Sequence, residues 1–84
     1  MGITIHPALI EAIKQLPHAP GVYLFKDLNR QIIYIGKAKD LRNRVNQYLQ
    51  RVSIDVKAYS ILSVAVTVDY VETNNELEAL LLEA

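Results

Sequence analysis

The spacing of apolar residues divides the chain into helical and extended segments. Apolar positions between residues 8 and 16 recur at helical spacing, and Pro7 stands in the first turn, where its missing N–H costs nothing. This pattern predicts a helix over residues 7–15. The segment LPHAPG (residues 16–21) ends it, because two prolines and a glycine cannot continue a helix.

Two short runs rich in β-branched and aromatic residues, 21–25 and 31–36, flank the polar turn DLNR (residues 27–30) and predict a β-hairpin. An even-length loop would pair Tyr23 directly with Tyr34. Both tyrosines would then share one face of the hairpin, with their hydroxyls able to reach a common spot. The alternative is an aromatic cross-strand pair that only stiffens the hairpin.

The rest of the chain predicts two further helices, a third strand and a final helix. Asp40 is a good N-cap for an amphipathic helix of about eleven residues. Residues 53–62 favour a shorter helix, and residues 64–71 alternate like a strand. Thr73 and Glu76 form a capping box that opens a last helix running to the end of the sequence. We expect one small α/β (α+β) domain.

Composition excludes several classes of protein. With 84 residues, 51% hydrophobic and 21% charged, the chain can support one compact core and is not expected to be disordered. No apolar run approaches the roughly 20 residues of a membrane span, and the N-terminus lacks a secretory signal pattern. The absence of cysteine excludes disulfides and is compatible with the cytoplasm, the expected location. His6 and His18 are interpreted as incidental surface residues rather than metal ligands.

A net charge of zero hides a strong asymmetry. Residues 26–51 carry seven basic and two acidic side chains, net +5, whereas residues 52–84 carry one basic and six acidic ones, net −5. The basic segment could face a polyanion, or both charge sets could be solvated faces that attract each other. Helical spacing places Arg44, Tyr48 and Arg51 along one edge of the second helix. Three further cations, in the turn before this helix and in its first turn, make the edge suited to phosphate contacts: Lys37, Lys39 and Arg42.

Glu83 is anomalous because it lies among apolar residues near the end of the predicted last helix. An unpaired carboxylate buried there would be costly. It is therefore either a functional group or the exposed end of a frayed helix.

Three motifs in this order resemble the GIY-YIG nuclease family, most closely the N-terminal domains of its UvrC branch. They are APGVYLFK (residues 19–26), IYIGKAKDL (residues 33–41) and EALLLEA (residues 78–84). Val22 replaces the isoleucine that names the family. The resemblance implies a small three-stranded antiparallel sheet flanked by helices, the GIY-YIG fold, over a single domain of residues 1–84. The family continues beyond the last motif, so we expect the domain to be shortened at its C-terminus.

The resemblance also implies roles for individual residues. Tyr23 and Tyr34 would be the paired active-site tyrosines, Arg44 the active-site arginine and Glu83 the ligand of one Mg²⁺ or Mn²⁺ ion. Four other positions match family positions at or near the site: Lys37, Tyr48, Gly21 and Gly36. Phosphate contacts are expected from Lys37, Lys39, Arg42 and Arg51.

A domain of this kind would hydrolyse a phosphodiester bond of DNA, as in the 3′ incision of nucleotide excision repair. Its partners would be DNA, a UvrB-like repair protein and the remaining domains of a UvrC protein, with no membrane involved. Two alternatives stay open. One is another GIY-YIG branch, such as a domain fused to a polymerase proofreading exonuclease, and the other is a catalytically silent DNA-binding or protein-interaction module.

Overall fold

Three helices and three strands make up the computed structural model, which describes residues 4–74. In chain order they are α1 (Pro7–Lys14), β1 (Gly21–Lys26), β2 (Ile32–Ala38), α2 (Leu41–Arg51), α3 (Val56–Val64) and β3 (Thr67–Glu72). The strands form one sheet in the order β2-β1-β3, and both pairings are antiparallel. The predicted three-stranded antiparallel sheet flanked by helices is confirmed.

The predicted final helix, which includes Glu83, lies outside the described residues. Thr73, the residue proposed as the N-cap of that helix, is described and is buried just after β3. Thr73 N–H donates to the carbonyl of Pro20, which fastens the end of β3 beside the start of β1. Within residues 4–74 no helix has the length and apolar character needed to cross a bilayer.

The core lies between one face of the sheet and the helices. Phe25 on β1, Leu9 on α1, and Leu41 and Val45 on α2 are all fully buried. Leu62 of α3 belongs to the same cluster. Burying a side chain of this size contributes about 1.5–3 kcal/mol, so this set holds the helices against the sheet face that also carries Tyr23.

The hairpin register differs from the prediction by two residues. Tyr23 pairs with Gly36, and Tyr34 pairs with Phe25, so the two tyrosines are diagonal neighbours rather than direct partners. The prediction that they share a face still holds, because side chains alternate with a period of two and a two-residue shift leaves every side chain on the same face.

Two local irregularities produce the shift. Arg30 adopts a left-handed conformation (φ 63°) in the turn, and Ile33 is an extra residue in β2 where the pairing changes between Phe25 and Lys26. The turn is held by Asp27, whose Oδ1 accepts hydrogen bonds from the backbone N–H groups of Asn29 (2.9 Å) and Gln31 (3.0 Å). An αL residue and a bulge each add one residue to the β2 side.

Aspartate caps position the two helices after the hairpin. Asp40 Oδ1 accepts a hydrogen bond from Asn43 N–H (3.0 Å), so α2 begins where the sequence predicts. Asp55 Oδ1 accepts from Lys57 N–H (2.9 Å) and Ala58 N–H (3.2 Å) and starts α3 three residues later than predicted. The third strand consequently begins at Thr67 rather than at residue 64.

Candidate active site

Three tyrosines converge on the core-facing side of the hairpin and on α2. The ring centroids of Tyr23 and Tyr34 are 6.4 Å apart, and the Tyr48 ring lies 5.9 Å from the first and 6.4 Å from the second. The hydroxyls of Tyr23 and Tyr48 form a hydrogen bond of 2.9 Å. The cluster joins β1, β2 and α2, and its rings meet at the edge-to-face and tilted angles that aromatic pairs prefer.

Gly36 makes room for the Tyr23 ring. A Cβ at Gly36 would overlap the Cζ and hydroxyl of Tyr23, its partner across the hairpin. Since Tyr23 is only 3% exposed, its ring has no free space to move into. The glycine of the IYIG motif is therefore needed for the fit of the first tyrosine. Glycine is needed at position 21 for a different reason, because a Cβ there would overlap the backbone oxygen of Val71 on β3.

Tyr48 is held in its protonated form. Burial, followed by the hydrogen bond with Tyr23, raises the pKa of Tyr48 well above its ordinary value. The neighbouring phenols add to the effect because a phenolate would be repelled by any other charge of the same sign. Tyr48 therefore stays protonated at neutral pH and well above it.

Tyr34 lies at the outer side of the cluster, against a cation. Lys57 Nζ, from α3, is 4.4 Å from the centroid of the Tyr34 ring, within cation–π range. Interaction with the Tyr34 side chain raises the pKa of Lys57, so this ammonium is charged at neutral pH.

A groove between α2 and α3 opens beside the tyrosines. It has a volume of about 270 Å³ and is lined by Arg44, Gln47, Tyr48, Arg51, Asp55, Lys57 and Ala58. Arg44, Tyr48 and Arg51, which the sequence places along one edge of α2, thus meet in a single concave surface. Arg51 Nε is 3.8 Å from Asp55 Oδ2.

The other predicted phosphate contacts do not join this groove. Lys37 pairs with Val22 and therefore belongs to the sheet face opposite the tyrosines. Arg42 Nε donates to the carbonyl of Leu16 (2.7 Å), a contact that ties α2 to the segment after α1. Lys39 lines a separate shallow surface with Arg44. Roles for Lys37, Lys39 and Arg42 in catalysis or phosphate binding stay predictions.

The two histidines contact neighbouring polar groups. His6 Nδ1 accepts a hydrogen bond from Ala8 N–H at the start of α1 (3.1 Å). His18 Nδ1 lies 3.0 Å from an oxygen of Asp40, the cap of α2. The hydrogen bond from Asn43 N–H, with His18 as a further contributor, lowers the pKa of Asp40 below its ordinary value.

Sequence reasoning missed Lys57 and Asp55. Asp55 could have been found as an N-cap, since it stands just before a helical segment. Nothing in the sequence near Lys57 indicates its contact with Tyr34, because the two residues are brought together only by the packing of α3 beside β2.

The described residues do not by themselves provide a metal site. Residues 4–74 contain no group of three or more His, Asp or Glu side chains that could surround an ion. Asp55 is engaged with the N-terminus of α3 and with Arg51. A divalent ion prefers carboxylate oxygens, so one beside these tyrosines would need a carboxylate from outside residues 4–74.

Comparison with known proteins places this arrangement in a family. The family model described as "UvrC-like GIY-YIG domain" matches residues 19–84. The protein named UvrABC system protein C from Methanosarcina acetivorans is 49% identical over 71 residues, which cover 84% of this chain and 14% of that protein. The one from Solibacter usitatus is 46% identical over 76 residues, covering 89% of this chain and 12% of that protein. The chain thus spans only a small part of the length of these relatives.

Solved structures agree with the sequence comparison. The GIY-YIG N-terminal endonuclease domain of UvrC from Thermotoga maritima, bound to magnesium as its catalytic divalent cation, has a TM-score of 0.77 and 39% identity. The match covers 88% of this chain and 80% of that one. A point mutant of the same domain, also bound to its catalytic divalent cation, has a TM-score of 0.78 and 38% identity. The chain belongs to the family of UvrC-like GIY-YIG domains.

Proposed function

We propose that the chain is a divalent-metal-dependent DNA endonuclease domain that hydrolyses a phosphodiester bond, as in the 3′ incision of nucleotide excision repair. The observation that carries the proposal is the cluster of Tyr23, Tyr34 and Tyr48 with the groove of Arg44 beside it. The magnesium-bound endonuclease domain from Thermotoga maritima, which matches the fold over most of its length, supports the same function.

Arg44 supplies charge for the transition state. Hydrolysis builds negative charge on the non-bridging oxygens of the phosphate, and a guanidinium can meet two of them with charge-assisted hydrogen bonds. Arg44 is exposed, lines the groove next to Tyr48 and has no ion pair among residues 4–74, so its guanidinium is available to a phosphate.

The three tyrosines have different capacities for proton transfer. The raised pKa of Tyr48 suits its hydroxyl to donate a hydrogen bond rather than to accept a proton. The Tyr23 hydroxyl forms a hydrogen bond with the Tyr48 hydroxyl. Tyr34 lies at the outer side of the cluster, beside the Lys57 ammonium. The proton of the attacking water would be taken up on the Tyr23 or Tyr34 side of the cluster.

Glu83 would hold the single Mg²⁺ or Mn²⁺ ion. When bound, such an ion polarises the phosphate and stabilises the leaving oxygen. The partners in the full protein would be DNA, a UvrB-like repair protein and the remaining UvrC domains, and the cytoplasmic location stays a prediction.

Nicking of supercoiled plasmid with Mg²⁺ or Mn²⁺ tests the proposal. We expect nicked circles from the wild type and a loss of about 100-fold or more in Arg44→Ala and Glu83→Gln, since each removes stabilisation of transition-state charge. Lys14→Ala is the matched control, because Lys14 is an exposed cation on α1 that pairs with Glu11. Circular dichroism verifies the fold of each variant. Wild-type levels of nicking by either site variant would contradict the assigned roles.

A further inference from the structure

Lys57 occupies a position that connects the tyrosine cluster to the groove between α2 and α3. Its ammonium lies over the Tyr34 ring, and the same side chain lines the groove with Arg44 and Arg51. The groove is therefore continuous with the candidate site.

The charge of the groove is positive. Three cations line it, whereas Asp55 is its only carboxylate among residues 4–74. Asp55 already accepts two hydrogen bonds from backbone N–H groups of α3, and its second oxygen faces Arg51. Neither Arg44 nor Lys57 has an ion pair within the described residues, so two positive charges are left for a ligand.

Size and shape limit what the groove can hold. Its volume of about 270 Å³ lies below the roughly 300–1,000 Å³ of pockets that enclose drug-sized ligands. It is lined by polar and charged groups and is open to solvent, which suits a small anion attached to a longer molecule that continues outside the groove.

The contact with Tyr34 positions the Lys57 ammonium and leaves N–H donors for a further acceptor. A cation–π contact holds the ammonium by its charge, and an ammonium has three N–H donors. The raised pKa of Lys57 keeps the group charged. The side chain is thus held in place for a further acceptor.

The geometry points to a second phosphate subsite: Lys57 binds a backbone phosphate of the DNA strand next to the phosphate that is cut. This inference rests on the proposed function, since it takes DNA as the substrate. A strand whose reacting phosphate lies beside the tyrosines and Arg44 would place a neighbouring phosphate in the groove. Tyr48 lines the groove and is hydrogen-bonded to Tyr23, so it lies between the phosphate that is cut and the neighbouring phosphate.

The salt dependence of DNA binding tests the subsite without any cutting. Fluorescence anisotropy of a labelled random-sequence duplex, measured in EDTA over a series of salt concentrations, gives the slope of log K against log salt. We expect a wild-type slope of about −3. In Lys57→Met the slope should be closer to zero by about 1, and the affinity for the duplex should be about tenfold weaker. Lys57→Arg retains the charge and is expected to keep the slope.

Lys14→Met is the control for net charge, because it removes one cation outside the groove. A slope unchanged in Lys57→Met, or one reduced equally in Lys14→Met, would overturn the subsite. A lower thermal stability of Lys57→Met with unchanged binding would also overturn it, since the lysine would then only fasten α3 to β2.

The two proposals fail in different ways. If the wild type nicks plasmid but Lys57→Met keeps the wild-type slope, only the subsite is wrong. If the slope responds as expected but no plasmid is nicked with Mg²⁺ or Mn²⁺, the groove binds DNA and the proposed nuclease function is wrong.

Discussion

The inner and outer ends of the tyrosine cluster are built on different principles. At the inner end Tyr23 is buried, lies over Gly36 and shares a hydrogen bond with Tyr48. At the outer end Tyr34 is half-buried and meets the ammonium of an exposed lysine, Lys57. Packing determines the first arrangement and electrostatics the second. Changes in shape should therefore damage the inner end, and changes in charge the outer one.

Gly36→Ala should produce the largest effect. The added Cβ would overlap the Tyr23 ring, which is buried and cannot move aside, so we expect a loss of about 2–3 kcal/mol in the free energy of unfolding. Urea unfolding followed by circular dichroism measures it. Ile35→Ala, at the neighbouring position of β2 and on its opposite face, is the control and should cost clearly less. Equal losses in the two variants would contradict the role assigned to Gly36.

The faces of the hairpin could be predicted from the sequence, but its register could not. Because side chains alternate between the two faces of a strand, Tyr23 and Tyr34 lie on one face of the hairpin for any register shift of an even number of residues. The register depends on the left-handed Arg30 and the extra residue Ile33, which are backbone irregularities. Neither position is a glycine or proline, so the sequence pattern does not predict these irregularities.

For the helices, features set by local sequence could be predicted, whereas contacts formed by tertiary packing could not. The start of α2 follows from Asp40 and an apolar stripe, both local features, and was predicted correctly. Tyr23 and Tyr34 stand inside two of the sequence motifs, and helical spacing placed Arg44 and Tyr48 on one edge of α2. Lys57 was missed because its partner lies 23 residues earlier in the sequence and the contact exists only after α3 has packed.

Tyr48→Phe should change stability at alkaline pH, an effect of intermediate size. Because the pKa of Tyr48 is raised in the folded state, the native protein keeps a proton that the unfolded chain loses above pH of about 10. The wild type should therefore lose stability as pH rises above this value, by about 1 kcal/mol at pH 11. Part of the full one-proton effect is lost because Tyr48 is partly exposed and screened by solvent.

The variant should lose less stability between pH 9 and 11 than the wild type when urea unfolding is measured at each pH. Tyr59→Phe is the control, since Tyr59 is an exposed tyrosine on α3, outside the cluster. A Tyr48→Phe curve parallel to that of the wild type would show that the inner pair does not hold its proton as the geometry requires.

The smallest expected effect belongs to the outer end. A cation–π contact at an exposed site contributes about 0.5–1 kcal/mol, so a double-mutant cycle of Lys57→Met and Tyr34→Leu should give a coupling near the lower value. Added salt should weaken that coupling, because the ammonium is open to solvent. The same cycle with Tyr34→Phe in place of Tyr34→Leu should give a coupling near zero, since phenylalanine keeps the ring and therefore does not remove the contact. A coupling of several kcal/mol that does not respond to salt would mean that the outer end, like the inner one, is held by packing.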